Sequence, residues 1–311
     1  MIDIVMIVGG LALLFGGGEM LVKGAVALAQ HFGLSPILVS AVVIGFGTSM
    51  PEMTVSVEAA LKNAPDIAIG NVVGSNIANV LLIMGMAGLV VPIAIPKDTG
   101  HRDTIVMIVA SLALCTLALW GVISALIGFV FVTSLIGFIA WSCHIDKKRE
   151  TTPDTDDMTA LGWPRAWGYV LGGFGLLLVG AYVLIEGSVA IARHFDISEA
   201  IIGLTIVALG TSLPELAASL VAASRKQGAV IIGNIIGSNI FNILAILGVS
   251  AMITPIPIAK HITLYDVWIM AGVILYFSFF LLRKITIGRI NAFIMLGSYC
   301  FYILWLTLSS L

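Results

Sequence analysis

Glu52 and Glu215 each follow a proline and lie four residues after a threonine, in "GTSMPE" and "GTSLPE", inside stretches that are otherwise apolar. A charged side chain at the centre of a bilayer costs roughly 2.5 to 3.5 kcal/mol on insertion scales. Each glutamate therefore needs a partner, a water-filled cavity or a proton. Residues four apart share a helix face, so Thr48 with Glu52, and Thr211 with Glu215, point the same way. The prolines add free backbone acceptors. Pro51 has no N–H to give the carbonyl of Gly47, and Pro214 has none for Gly210, so each helix is expected to break there. Hydroxyls, carbonyls and a carboxylate then converge where irregular backbone is tolerated only if it is buried or lines a cavity.

A second motif supplies the facing wall. In "GNVVGSNIANVL" the residues Asn71, Ser75 and Asn79 form one helical stripe, and Asn234, Ser238 and Asn242 repeat it in "GNIIGSNIFNIL". Gly70 with Gly74, and Gly233 with Gly237, are small-xxx-small pairs that allow close helix approach. The stripes are expected to reach the glutamates. The donor set is carboxylate, amide, hydroxyl and backbone oxygen, with no His or Cys in either motif. That set suits hard cations, such as Ca²⁺ with its six to eight oxygen ligands at about 2.3 to 2.6 Å, and Na⁺ by the same argument.

The elements that carry these motifs follow from composition. The chain has 311 residues, 59% hydrophobic and 10% charged, against about a quarter charged in ordinary soluble domains. Apolar runs of roughly 20 to 28 residues recur from end to end, each long enough to cross a bilayer as a helix. Ten are expected, near 3–29, 34–61, 66–92, 103–122, 124–144, 166–192, 199–223, 228–254, 263–282 and 286–308. The lack of period-2 alternation argues against a β-barrel. The acidic start "MIDIVMIV" predicts that the first run is retained as a helix.

The chain is written twice. Adding 163 to a residue number near 16–97 lands on a matching residue without a gap, and between Gly47 and Gly85 19 of 39 positions are identical to their partners. With five spans per copy, the second copy enters the membrane from the opposite side. The expected fold is an all-α integral membrane protein of ten transmembrane helices, arranged as two inverted five-helix repeats. The repeats are 1–145 and 166–311, joined by a cytoplasmic linker at 146–165. This is the architecture of many secondary transporters, with the substrate site at the midplane between the halves. Placing both termini outside puts eleven Lys and Arg in inner loops and three, Lys62, Arg193 and Lys260, in outer ones. Basic loops are retained inside, which favours that orientation, and the compact, loop-poor design points to a prokaryotic plasma (inner) membrane.

Other function classes find little support. The charge of -2, with no basic tract beyond "KKR" at 147–149, excludes a nucleic-acid partner. Cys115, Cys143 and Cys300 stand singly and are expected to be buried bystanders. An enzyme has no GxSxG or HExxH to work with, no cofactor site is indicated, and no protein partner is evident beyond the lipid bilayer. Glu19 with Lys23, and Glu58 with Lys62, are expected to form ion pairs along their helices. The "DTDD" at 154–157 reads as a solvated acidic loop, and His101 and His261 as loop residues.

At these two duplicated motifs the chain resembles the sodium/calcium exchanger family of the calcium/cation antiporter superfamily. The resemblance implies antiport of Ca²⁺ against Na⁺ by alternating access, the first and sixth spans sliding across two broken-helix pairs. By the family pattern, Glu52 and Glu215 coordinate Ca²⁺ and share Na⁺. Thr48, Ser49, Ser75, Thr211, Ser212 and Ser238 give oxygens to flanking Na⁺ sites, Asn79 and Asn242 line the centre, and the carbonyls of Gly45 and Ala208 serve as backbone ligands. Some branches, including potassium-dependent exchangers, carry Asp where this chain has Asn242, so the cavity here holds two formal charges. Proton/calcium relatives typically carry a Glu soon after the "GN" of the second motif, and this chain has none, which points to Na⁺. Exchange against H⁺ remains the alternative, since a carboxylate in a dry cavity can carry a proton instead. A cation channel is the more distant one.

Overall fold

The computed structural model describes residues 2–96, 101–148, 162–195 and 208–309. A chain this apolar can satisfy its backbone in lipid by closing hydrogen bonds within helices, and it does so along α1 (Ile2–Phe32), α2 (Pro36–Thr48), α3 (Met50–Leu61), α4 (Pro65–Val90), α5 (His101–Trp120) and α6 (Ala125–Lys148). The second half contributes α7 (Trp163–His194), α8 (Leu213–Ser224), α9 (Gly228–Ile253), α10 (Ile262–Arg283) and α11 (Arg289–Ser309). Among the described residues eight helices are long and apolar enough to span a membrane, or nine if α2 and α3 form one bent span. The expected seventh span, 199–223, starts outside the described residues, and α8 is its described part. The "DTDD" segment also lies outside them.

Burial sorts the helices into a centre and a rim. The apolar windows of α4 and α9, which carry the asparagine stripes, are 72% and 100% buried, whereas those of α1, α6, α7 and α11 are less than a third buried. On the rim, α1 and α7 run antiparallel in direct backbone contact. A Cβ added at Gly10 would meet Gly180, one at Gly17 would meet Gly173, and one at Gly24 would meet Ala166. The glycines recur every seven residues in α1 and, 163 positions later, at Gly173, Gly180 and Gly187 in α7, so a repeated small-residue seam sets this approach.

The close approach expected at the four motif glycines is seen for one pair. Gly233 and Gly237 of α9 press on the backbone of Ile37 and Ala41 in α2. Gly70 and Gly74 have no neighbour at that distance among the described residues. The residues equivalent to Ile37 and Ala41 in the second repeat, 200 and 204, lie outside them.

Polar ties hold the start of α2. Ser35 caps the helix by accepting from the Leu38 N–H at 3.2 Å, with Pro36 in the first turn, and its hydroxyl donates to Asp146 Oδ2 at 2.6 Å. Asp146 in turn faces Arg102, which also pairs with Asp103 at 2.9 Å. Ser35→Ala removes the cap and the hydroxyl bond to Asp146, leaving the backbone N–H of residue 35 donating to Asp146 Oδ2 at 3.2 Å. It is expected to destabilise the protein by about 1 to 2 kcal/mol, measured as a lower melting temperature in detergent.

Two expectations are corrected here. His101 opens α5 and His261 stands at the N-terminus of α10, its Nδ1 2.8 Å from Asp266 Oδ2, so neither is a loop residue. Of the cysteines only Cys115 is buried, while Cys143 is half-buried and Cys300 exposed on α11, because an apolar surface in lipid needs no cover.

Candidate cation-binding centre

The two glutamates sit at helix breaks, as their prolines dictate. Between α2 and α3 the axis turns by 48°, and the turn is made at Ser49 (φ -82°, ψ 8°), two residues before Pro51. Ser212 (φ -89°, ψ 5°) does the same before Pro214. A residue without an N–H is harmless in the first turn of a helix, so each proline starts a new helix and places Glu52 or Glu215 in that first turn. Helix N-termini favour negative charge. Both carboxylates are 1% exposed.

The repeats then reach across to each other. Ser49 Oγ donates to Glu215 Oε1 at 3.0 Å, and Ser212 Oγ donates to Glu52 Oε1 at 3.1 Å. These are one bond written twice, since each partner of the second lies 163 positions from its equivalent in the first. Thr211 makes a further contact with Glu52, and Thr48 with Glu215. That leaves Glu52 Oε2 and Glu215 Oε2 buried with no hydrogen-bond partner among the described residues, and Asn79 Oδ1 and Asn242 Oδ1 share this condition. Among the described residues the other buried polar atoms without a partner are all serine hydroxyls, so each carboxylate or amide oxygen of this kind belongs to the sequence-predicted site. Asn79 and Asn242 each open a π-helical turn, Asn79–Met84 and Asn242–Leu247. Such turns are frequent at functional sites.

The remaining sequence-predicted residues are placed around this core with varied engagement. Thr48 Oγ1 donates to the Ile44 carbonyl at 2.9 Å and lies 3.4 Å from Asn234 Oδ1. Ser238 Oγ donates to the Gly45 carbonyl at 3.4 Å, which also accepts from the Ser49 N–H. Ser75 is buried on α4, and Ala208 opens the short turn Ala208–Gly210 that leads to Ser212. Asn71 and Asn234 do not face the carboxylates. Each braces a broken helix instead, Asn71 donating to the Glu52 carbonyl at 3.1 Å and to Ser56 Oγ at 2.9 Å, and Asn234 to the Glu215 carbonyl and Ser219 Oγ.

Two residues of the centre escaped the stripe reading. Asn79 Nδ2 donates to Asn239 Oδ1 at 3.2 Å, and Asn242 Nδ2 donates to Asn76 Oδ1 at 3.0 Å. Asn76 and Asn239 lie one residue off the stripe, and the signal that marks them is their identity under the 163-residue shift. The chain matches the sodium/calcium exchanger protein family over residues 2–144 and 165–308.

The chain belongs to the sodium/calcium exchanger family. It is therefore a multi-pass integral membrane protein of a transporter family. CaxA of Alkalimonas amylolytica is 37% identical over 294 residues, covering 91% of this chain and 90% of CaxA. The inner membrane protein YrbG of Escherichia coli is 33% identical over 259 residues, covering 80% of this chain and 79% of YrbG. Among solved structures, the sodium-calcium exchanger NCX_Mj superposes with a TM-score of 0.86 at 30% identity, over 98% of each chain. The exchanger fold thus extends from end to end and includes both motif pairs.

Proposed function

We propose that this family member exchanges Ca²⁺ for Na⁺ across the membrane, with Glu52 and Glu215 as the charged ligands of the transported ion. The observation that carries this reading is the set of four partnerless buried oxygens, two carboxylate and two amide, contributed equally by the two repeats. A buried acceptor without a partner costs about 1 to 3 kcal/mol, more when charged, and hard cations bound among these oxygens would relieve that cost. Two carboxylates balance one Ca²⁺. Thr48, Ser49, Ser75, Thr211, Ser212, Ser238 and the carbonyls of Gly45 and Ala208 would complete flanking Na⁺ sites.

Ten spans in two inverted copies, 1–145 and 166–311, with both termini outside an inner membrane, complete the proposal. The antiparallel packing of the equivalent helices α1 and α7 supports inversion, and the likeness to YrbG supports the membrane. One-sided access has its own support. α1 packs along α8, Gly18 resting on Ala217 and Val221, while the equivalent pair, α7 with α3, makes little contact among the described residues. The same asymmetry runs through the charges. Glu19 pairs with Lys23 at 2.9 Å, as expected from spacing, and is also held by the Arg225 guanidinium, which ties α1 to the end of α8. Lys62, the equivalent of Arg225, pairs within its own helix with Glu58 at 2.5 Å.

On this reading the α8 side of the centre is the closed one, held by α1 and Arg225, and access is expected from the α3 side. In a background lacking the native cysteines, Thr54→Cys on α3 is expected to react with a membrane-impermeant maleimide. Ala217→Cys, its equivalent beneath α1, is expected to resist until the protein turns over. Equal labelling of both would contradict one-sided access.

Transport itself is tested by radioactive Ca²⁺ uptake into liposomes holding the purified protein, driven by an opposing Na⁺ gradient, a pH gradient, or neither. The proposal expects uptake with Na⁺ alone. Uptake with the pH gradient in Na⁺-free buffer would make the glutamates proton carriers, and Ca²⁺ entry with no opposing gradient would assign a passive pore.

A further inference from the structure

We infer that Met107 with Asn239, and Met270 with Asn76, are positioning pairs that force the amides of Asn79 and Asn242 to present oxygen rather than NH₂ to the transported cation. The inference rests on the proposal that Glu52 and Glu215 hold that cation.

An amide can face a cation productively in one of its two orientations only. Its carbonyl oxygen is a ligand, and its NH₂ carries partial positive charge and repels. Which way Asn79 points is decided by its partner, because Asn79 Nδ2 donates to Asn239 Oδ1. Asn239 is an amide too and could in isolation turn either end toward Asn79. Its other end lies against a thioether, Asn239 Nδ2 being 3.7 Å from Met107 Sδ. A thioether sulfur accepts weakly and donates nothing. Turning Asn239 over would set its carbonyl oxygen against that sulfur and its NH₂ against the NH₂ of Asn79. The sulfur thus fixes Asn239, Asn239 fixes Asn79, and Asn79 Oδ1 is left free for the ion.

The second repeat supplies the same chain of polarity. Asn76 Nδ2 lies 3.6 Å from Met270 Sδ and 3.5 Å from the Asn239 carbonyl, two acceptors, so that Asn76 Oδ1 receives the Asn242 Nδ2 proton. Met107 and Met270 are 163 positions apart, as are Asn76 and Asn239. All four side chains are 0% exposed, so bulk water does not compete for these contacts. Each ligand amide is oriented by an asparagine of the opposite repeat, so the centre takes its polarity only when the two halves are packed together.

The test follows the Ca²⁺ dependence of transport and the Ca²⁺-induced rise in melting temperature of the purified protein. Asn239→Leu is expected to raise the KM for Ca²⁺ by about 10- to 100-fold, the range seen when a ligand loses its supporting partner, with a smaller change in maximal rate. Asn239→Asp, which still accepts from Asn79 but sets a second oxygen against the Met107 sulfur, is expected to recover part of that loss. In an Asn79→Ala background, Asn239→Leu is expected to cause no further loss of Ca²⁺-induced stabilisation, since contacts acting through one residue are not additive. An unchanged KM in Asn239→Leu, or an equal loss with and without Asn79, would overturn the inference. Should Asn239→Leu fail to reach the membrane, Met107→Leu and Met270→Leu remove the sulfur acceptors at nearly constant size. An unchanged KM in both would overturn it as well. No Ca²⁺ response in the unmodified protein would instead overturn the exchange proposal beneath it.

Discussion

Glu52→Gln and Glu215→Gln are each expected to lower Ca²⁺ transport roughly 100-fold or more, because removing one member of a buried charge pairing costs about 3 to 5 kcal/mol and each 1.4 kcal/mol is about tenfold. Glutamine keeps the size of the side chain and an oxygen that can accept from Ser212 or Ser49. The helix break is made by Pro51 or Pro214 and is untouched. The variants are therefore expected to insert and to melt at or above the temperature of the unmodified protein measured without Ca²⁺, since a buried uncompensated charge has been removed. On the proposed reading, what they lose is one of the two charges that balance Ca²⁺. Retained exchange in both variants, measured as Na⁺-driven Ca²⁺ uptake, would mean that the carboxylates are structural.

Gly237→Ala is expected to be the most damaging change outside the ligands. Its new Cβ would run into the backbone of Ala41, carbonyl oxygen and Cα included, and backbone cannot swing aside as a flexible side chain does. Overpacking of this kind costs about 1 to 3 kcal/mol. The displacement falls on α2, whose end carries Thr48 and Ser49, and on the Gly45 carbonyl that Ser238 meets. Both the melting temperature and the transport rate should fall, the rate by at least about tenfold if Ser49 is drawn away from Glu215 by the 1 Å scale at which positioning fails. Gly272→Ala on α10 is the control. It is an exposed helical glycine with no neighbouring atom in the path of a Cβ among the described residues, and alanine there should be neutral or slightly stabilising.

The centre was legible because polar residues in an apolar chain are expensive. Glu52, Pro51 and Asn79 stand out against their surroundings, and their recurrence at Glu215, Pro214 and Asn242 makes accident a poor explanation. Ion pairs four residues apart were legible for the same local reason, and Glu19 with Lys23 and Glu58 with Lys62 are both present. Hydropathy measures length and polarity but says nothing of orientation, so it could not tell that Asn71 holds a backbone carbonyl while Asn79 keeps a buried oxygen without a partner among the described residues. Asn76 and Asn239 fall off the stripe by one residue, and only their partners in the opposite repeat reveal their use. Arg225 and Glu19 are 206 positions apart, a distance at which no spacing rule operates. The glycine seam of α1 and α7 was within reach. The 163-residue shift carries Gly10 to Gly173, Gly17 to Gly180 and Gly24 to Gly187, and so extends the duplication toward the start of the chain.

The roles of the two glutamates and of Na⁺ meet in a single titration. Calorimetric binding of Ca²⁺ to the purified protein, carried out in Na⁺-free buffer and again with rising Na⁺, is expected to show Ca²⁺ binding that weakens as Na⁺ increases and disappears in Glu52→Gln and Glu215→Gln. Ca²⁺ binding that is indifferent to Na⁺, or that survives in both variants, would contradict a shared centre built on Glu52 and Glu215.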